Sequence, residues 1–257
     1  MNDRAVQLFL ILCTTANTVF AAPVDGMVLL PSGTYMPLYL ENERIPNLQD
    51  QSILIESFWL DRFPVTNRQY LEFVTKHPEW KKSQVKRLFA DTSYLQHWSG
   101  DSAIQQINEL DSPVTNVSWF SASAYCESIG KRLPTTDEWE YALADNGRGA
   151  KEIQKHALDW YAIPNSALPN VGSGSANGYG VYDLVGSIWE WTLDFNSFMA
   201  SSDPRDSGQK NLFCGGGSLN TSNPRDYAAF MRYSYRSSLL GSFTGKSLGF
   251  RCAKDAK

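Results

Sequence analysis

The most informative stretch of the chain is Gly130-Lys131-Arg132-Leu133-Pro134-Thr135-Thr136-Asp137-Glu138-Trp139-Glu140. Thr135 and, three residues later, Glu138 form a capping box, in which each side chain bonds the other residue's backbone N–H at a helix start. Apolar residues continue at helical spacing after this box, at Trp139, Ala142 and Leu143. The stretch therefore predicts a turn that leads into a helix with one buried face.

Two more helices are predicted upstream of this turn. Ser118 can cap a helix that Gly130 ends, and its apolar residues fall at i, i+3, i+4 and i+7 (Ala122, Tyr125, Cys126 and Ile129). Thr66 and Gln69 form another capping box, which begins an earlier helix. This arrangement places Cys126 on the buried face of its helix.

Short apolar runs outside these helices predict strands. Residues 27–35 predict a strand that enters a turn, and residues 53–55 and 58–60 predict two more. From Asn146 to Val181 the residues Gly, Ser, Asn and Pro recur, which is typical of loops. The sequence therefore predicts a single loop-rich α+β domain.

The amino terminus predicts a secretory signal peptide over residues 1–21. A largely apolar run follows the first four residues, and the small residues Val19 and Ala21 match the pattern of a signal-peptidase site. A membrane anchor would need about twenty consecutive apolar residues, and this run breaks at Thr14. We therefore expect a mature domain over residues 22–257 that is periplasmic or secreted, without stable membrane insertion. Disulfides persist in such compartments.

The composition is that of an ordinary globular protein. The 257 residues carry 27 acidic and 23 basic side chains, for a formal net charge of −4. The dense basic run at residues 81–87 is too short for a nucleic-acid interface, so we expect no nucleic-acid binding. Eight Trp, twelve Tyr and thirteen Phe against three His favour an aromatic core over a histidine-rich metal site.

Five sequence blocks together carry a resemblance to a known family. In chain order they are residues 112–119 with Tyr125-Cys126; 130–140; 177–186 with Trp189-Glu190-Trp191; Gly216-Gly217-Ser218; and Leu248-Gly249-Phe250-Arg251-Cys252. The blocks resemble the formylglycine-generating enzyme, or sulfatase-modifying factor, family, whose order they keep from about Met27 to Ala253. The resemblance implies the loop-rich, C-type-lectin-like α+β fold of that family.

The catalytic cysteines of that family have no counterpart here. The resemblance implies a copper oxidase that uses two cysteines, five residues apart, shortly after the Gly-Gly-Ser block. Two thiolates are suitable ligands for Cu(I). In this chain Thr221 and Asp226 stand at those positions, and no cysteine follows Ser218 before Cys252. Neither Thr nor Asp donates a thiolate, so we do not expect formylglycine synthesis by the family's mechanism.

Other branches of the family are iron enzymes that act on sulfur compounds or siderophore precursors. The thiohistidine-synthesising type resembles a fusion with a helical domain that carries a histidine-rich iron site, for which this sequence has no room. The three histidines, His77, His97 and His156, are scattered along the chain. Surface or helix-capping roles are therefore favoured over a three-histidine site.

Three further segments resemble a narrower branch. Residues 78–101, 194–197 and 227–239 are similar to accessory proteins of copper-containing nitrite reductase in denitrifying bacteria. This resemblance implies an accessory or maturation factor for a periplasmic metalloenzyme such as copper nitrite reductase, with that enzyme or its peptide as the partner. A copper- or iron-dependent oxidase of a peptide or small molecule is the alternative, and a lectin-like binding module is a third. Whether the chain is an enzyme stays open.

The placement of the cysteines gives two expectations. The family resemblance pairs Cys126 with Cys252 as a structural disulfide and leaves Cys214 alone beside three glycines. The apolar residues before Cys214 favour a buried strand and an inert thiol. The alternative is an exposed thiolate that binds copper together with Met231, since soft sulfur ligands select Cu(I).

The resemblance also implies a calcium site. Relatives carry calcium near the Gly-Asn-x-Trp-Glu-Trp turn, which in this chain keeps Glu190 but has Ser187 in place of the amide ligand. Ca²⁺ takes six to eight oxygen ligands, so the change weakens the prediction. The alternative role of Glu190 is a hydrogen-bonded staple of the loop.

Two further polar groups stand out. The segment that lines the substrate groove of the catalytic relatives corresponds here to a run of Arg and Tyr, which either contacts a partner or packs along the surface (Arg232, Tyr233, Tyr235 and Arg236). Lys131, Arg132 and Glu138 form a family-specific polar cluster. We interpret this cluster as ion pairs that hold the fold rather than as catalytic groups.

Overall fold

The computed structural model describes residues 25–35, 52–104, 109–145, 168–195 and 239–256. In these parts of the chain, three helices extend over Asn67–Lys76 (α1), Trp119–Ser128 (α2) and Thr136–Ala144 (α3). Seven short strands accompany them: Met27–Leu30 (β1), Gly33–Tyr35 (β2), Ile53–Ile55 (β3), Phe58–Asp61 (β4), Trp189–Glu190 (β5), Leu248–Gly249 (β6) and Ala253–Asp255 (β7). The α+β class and the loop-rich domain predicted from the sequence are confirmed.

Each helix begins at the cap that the sequence predicts. The side chains of Thr66 and Thr135 accept hydrogen bonds from the backbone N–H groups of Gln69 and Glu138, as capping boxes require. Ser118 caps α2 with the N–H of Ser121, whose hydroxyl accepts in return from the backbone of Ser118. Local hydrogen bonds therefore set all three helix starts.

Residues 27–35, which predict a strand that enters a turn, form two strands. Pro31 has no N–H and cannot donate to a ladder, so β1 ends before it. The strand β1 pairs antiparallel with β4, whereas β2 pairs antiparallel with β3 in a separate sheet. The predicted strand is therefore β1, which ends where the sequence predicts the turn. The strand β2 was not predicted, and the chain changes sheets at this proline.

Distant parts of the chain meet in the sheets. The three-stranded sheet has the order β1-β4-β7, so β7, near the carboxyl terminus, lies beside β4. The strands β5 and β6 pair in parallel, with Trp189 opposite Leu248. Gly249 in β6 has no space for a side chain, since an added Cβ would lie 2.2 Å from the carbonyl oxygen of Val114. These pairings bring the Trp-Glu-Trp turn beside the Gly-Phe-Arg-Cys segment.

Aromatic side chains dominate the core, as the composition predicts. The rings of Tyr70, Tyr125 and Phe250 pack together, with centroids 5.3 to 6.1 Å apart, and Trp98 lies against Tyr70. A second cluster fills the space between the three-stranded sheet and α3. Among the described residues, no helix has both the length and the apolar character needed to span a bilayer. The segment 1–21, predicted as a signal peptide, lies outside the described residues.

Candidate functional site

The predicted disulfide is present. Cys126 in α2 is bonded to Cys252, which directly precedes β7, and both residues are fully buried. The bond joins positions 126 residues apart in the sequence and lies within the aromatic core. It therefore ties α2 to the strand that completes the three-stranded sheet.

Glu190 forms a buried ion pair with Arg251. The guanidinium Nε and Nη2 of Arg251 donate to Oε2 and Oε1 of Glu190 at 2.7 and 2.8 Å, and both side chains are 0% exposed. The indole Nε1 of Trp139 also donates to Oε2, at 2.8 Å. We call Glu190, Arg251 and Trp139 the Arg251 cluster. Glu190 therefore holds the loop through hydrogen bonds, which is the role that the sequence analysis gives as the alternative to a calcium ligand.

The calcium site at Glu190 and Ser187 stays a prediction. Ser187 is buried in the turn before β5. Both carboxylate oxygens of Glu190 already accept hydrogen bonds from protein donors. A calcium ion at this turn would have to share the carboxylate with the positive charge of Arg251.

The family-specific polar cluster holds elements of the fold together. Arg132 donates to both carboxylate oxygens of Glu138 at 2.7 Å and to Asp255 of β7 at 2.6 Å, and these partners raise the pKa of its guanidinium. Lys131 contacts Asp61 of β4 at 2.6 Å. Burial raises the pKa of Asp61, although the charge of Lys131 opposes that shift. These side chains are ion pairs of the scaffold, as predicted.

Several predicted site residues lie outside the described residues. They are the candidate copper ligands Cys214 and Met231, and the groove residues Arg232, Tyr233, Tyr235 and Arg236. The same holds for His156, Thr221 and Asp226. Their roles remain predictions. In the parts of the chain that are described, no group of three or more His, Cys, Asp or Glu side chains could hold a metal ion.

A polar cavity lies between the start of α1, the turn at residues 95–98, the segment 109–116 and the loop before β6. Its volume is 390 Å³. The lining residues that matter here are Asn67, His97, Glu109, Thr115, Asn116 and Lys246. We call it the His97 pocket.

Asn67 holds the wall of the pocket in place. Its Nδ2 donates to the carbonyl oxygens of Glu109 and Ser112, at 2.9 and 3.3 Å, and its Oδ1 accepts from the indole of Trp98 at 3.1 Å. Asn116 has φ +53°, the left-handed conformation that asparagine tolerates better than most residues. The buried polar wall is therefore fixed before any ligand binds.

His97 is neutral at physiological pH. Burial lowers the pKa of its imidazole to about 4, and the positive charge of Lys82 lowers it further, while the nearby side chain of Asn116 opposes the shift. Its Nε2 lies 3.5 Å from Oδ1 of Asn67. Its Nδ1 is buried and has no hydrogen-bond partner among the described residues.

The sequence did not reveal this pocket. The sequence predicts a surface or capping role for the histidines. Of the two described histidines, His77 fits that role, since it lies half-exposed 3.7 Å from Glu79, and His97 does not. The pocket residues come from five separate segments, one of which contributes Leu168, so no local spacing links them. The nearest signal was the placement of Asn67 inside a capping box and of Asn116 inside a family block.

The fold and the site together define the class of protein. It is a disulfide-linked α+β domain whose family-specific polar residues form ion pairs that stabilise the fold. The sulfatase-modifying factor enzyme 1-like domain model matches residues 14–256. The chain therefore belongs to that family. A solved structure, PvdO from Pseudomonas aeruginosa, superposes with a TM-score of 0.51 at 22% identity, and the match covers 89% of this chain and 94% of that one. This likeness supports the fold.

Curated relatives differ widely in what their names describe. The formylglycine-generating enzyme of Bos taurus is 26% identical over 91% of this chain and 76% of its own length. The hercynine oxygenase of Mycolicibacterium smegmatis is 32% identical over 64% of this chain and 44% of its own length. The serine/threonine-protein kinase pkn1 of Chlamydia pneumoniae is 34% identical over 67% of this chain, which spans 28% of that protein. Family membership therefore does not by itself assign an activity.

Proposed function

We propose that this chain is an exported accessory or maturation factor for a periplasmic metalloenzyme such as copper nitrite reductase. Two features support the proposal. The domain has a buried disulfide and the buried ion pair of the Arg251 cluster, which stabilise the fold. The thiol pair is replaced by Thr221 and Asp226. A scaffold without the thiol pair suits recognition of a partner protein.

An exposed apolar surface carries the proposal. Leu88 and Leu240 are 74% and 73% exposed, more than the other large hydrophobic residues in the described parts of the chain. The half-buried rings of Phe89 and Phe120 have centroids 5.4 Å apart. Phe89 follows Leu88 in the chain, and Phe120 packs on Gly241, which follows Leu240. Leu88, Phe89, Phe120 and Leu240 form what we call the Leu88 surface. Apolar and aromatic residues of this kind anchor protein interfaces.

The backbone joins the segments that form this surface. The N–H of Asp91 donates to the carbonyl of Ser242 at 2.8 Å, and the N–H of Trp119 donates to that of Gly241 at 3.0 Å. The ring of Phe120 also packs on Gly241, where an added Cβ would lie 3.0 Å from it. The Leu88 surface is therefore held by backbone hydrogen bonds.

The charge beside this surface supports our choice of partner. Lys86 and Arg87 precede Leu88 and are exposed, and no ion pair engages them within the described residues. The whole chain is acidic, so this basic group is a local feature. Opposite charge steers and orients partners. The occupant that fits is an acidic segment with apolar residues on the metalloenzyme or its peptide.

Deletion of the gene in a denitrifying host tests the proposal. We expect periplasmic nitrite reductase activity and its copper content to fall, and wild-type protein to restore both. Leu88→Asp should fail to restore them, whereas Leu54→Asp is the matched control, since Leu54 is 66% exposed on β3, outside this surface. Full nitrite reductase activity in the deletion strain would overturn the proposal.

An oxidase is the second candidate, and the similarity to a hercynine oxygenase favours it. Metal analysis of the mature, untagged protein separates the two functions. Stoichiometric copper or iron together with substrate oxidation would support the oxidase. Restoration of nitrite reductase activity without turnover of a small molecule would support the accessory role.

A further inference from the structure

We propose that the His97 pocket binds a zwitterionic ligand of amino-acid size, through Glu109 at its ammonium and Lys246 at its carboxylate. The pocket involves residues other than those of the Leu88 surface. This inference is therefore independent of the proposed function.

The charges that line the pocket are the first step. Glu109 and Lys246 both line it, and no ion pair within 4.0 Å joins them to each other or to another described residue. Glu109 is half-buried and Lys246 is exposed. One anion and one cation therefore stand apart in the same cavity of 390 Å³.

This pair of charges selects against simple ions. An anion drawn to Lys246 would meet the carboxylate of Glu109, and a cation drawn to Glu109 would meet the ammonium of Lys246. A ligand that carries both charges satisfies both residues at once, since each opposite pair attracts. Charge complementarity therefore favours a zwitterion.

The polar interior is the second step. Thr115 and Asn116 are buried lining residues, so an apolar ligand would deprive polar groups of water. Since Nε2 of His97 faces an amide oxygen, its proton is assigned to Nε2, which leaves Nδ1 as an acceptor that none of the described residues bonds. The interior thus favours a ligand with its own hydrogen-bonding groups.

The first measurement uses the twenty common amino acids as probes. Each is added singly to the mature, untagged protein, and the melting temperature is recorded. We expect at least one to raise it, because a ligand that binds the folded state stabilises it. If none of the twenty raises the melting temperature at 20 mM, taken as roughly the weakest useful affinity, the proposal is overturned.

Blocked forms of the best probe then test each charge. Isothermal titration calorimetry should show that the free amino acid binds about tenfold tighter than its carboxamide and its N-acetyl form, as for the loss of one charge-assisted contact. Equal affinity for the free and blocked forms would contradict the proposal.

Two variants assign the charges to residues. Lys246→Met should weaken binding of the free amino acid and leave the carboxamide unaffected, whereas Glu109→Gln should spare the N-acetyl form. Lys254→Met is the matched control, since Lys254 is an exposed lysine of β7 outside the pocket. If Lys246→Met weakened the free and amidated probes equally, Lys246 would not contact the carboxylate and the assignment would be wrong.

Discussion

The Arg251 cluster and the His97 pocket differ in whether their polar groups are paired. In the cluster, Arg251 contacts both carboxylate oxygens of Glu190, and Trp139 adds a third donor. In the pocket, a cation and an anion remain unpaired among the described residues, and His97 keeps a buried nitrogen without a partner. The polar groups of the cluster bind one another and stabilise the fold, whereas those of the pocket can still bind a ligand.

This difference distinguishes side chains that stabilise the fold from side chains that are available to bind a ligand. Removing one partner of a buried ion pair lowers the stability of the protein strongly, because the other charge stays buried without compensation. Unpaired groups at a cavity add little stability and are available for binding. We therefore expect substitutions in the scaffold to lower stability and substitutions in the pocket to change binding or pH dependence.

The largest effect is expected at the disulfide. Replacing Cys126 and Cys252 together by Ser should lower the free energy of unfolding by about 4 to 5 kcal/mol, because a long loop of the unfolded chain is released. Urea unfolding at pH 7, followed by circular dichroism, measures the loss. Dithiothreitol provides the control, because it should lower the stability of the wild type by about the same amount and leave that of the double variant unchanged. A loss below about 1 kcal/mol would show that packing, not the bond, holds α2.

The next effect tests the Arg251 cluster. Arg251→Met should cost about 3 to 5 kcal/mol in urea unfolding, because it leaves the Glu190 carboxylate buried without its charge partner. The double variant Arg251→Met with Glu190→Gln should be more stable than Arg251→Met alone, since the amide oxygen can still accept from Trp139. A double variant no more stable than the single would contradict this account.

The smallest effect tests the pocket through pH. The pKa of His97 is about 4 in the folded protein, below the ordinary 6.5, so the unfolded chain binds more protons between those values. Stability should therefore fall as pH drops from 6.5 to 4, by about 1 to 3 kcal/mol from this residue. Above pH 6.5 its contribution should be constant.

Urea unfolding of the wild type and of His97→Gln at pH 7, 5.5 and 4.5 measures this contribution. The variant should lose part of the pH dependence, and His77→Gln, at the half-exposed histidine beside Glu79, is the control. Identical pH dependence in the wild type and His97→Gln would show that His97 is not held neutral by burial.

Local patterns predicted much of the fold. The caps at Thr66, Ser118 and Thr135 lie within three residues of their partners, so the sequence alone located the helices. The family blocks correctly paired Cys126 with Cys252. The strand β2 after Pro31 was not predicted, because strand pairing depends on partners far along the chain.

The candidate site was much less predictable. The turn that holds Glu190 was found, but its partner Arg251 lies 61 residues away, in a block that the sequence did not connect with it. The sequence predicts a surface or helix-capping role for His97, because local spacing shows neither its burial nor the nitrogen that has no partner among the described residues. The calcium, copper and groove predictions remain to be tested.

The pairing of Cys126 with Cys252 was implied by the family resemblance, and the structure confirms it. By itself the amino-acid sequence determined the family blocks, the helix starts and the absence of the thiol pair. These follow from residue identity and from contacts between near neighbours, which spacing records directly. Tertiary structure alone decided that Glu190 neutralises Arg251 and that Asn67, His97, Asn116 and Lys246 surround one cavity. Burial and charge pairing depend on which distant segments meet, and that is settled only when the core packs.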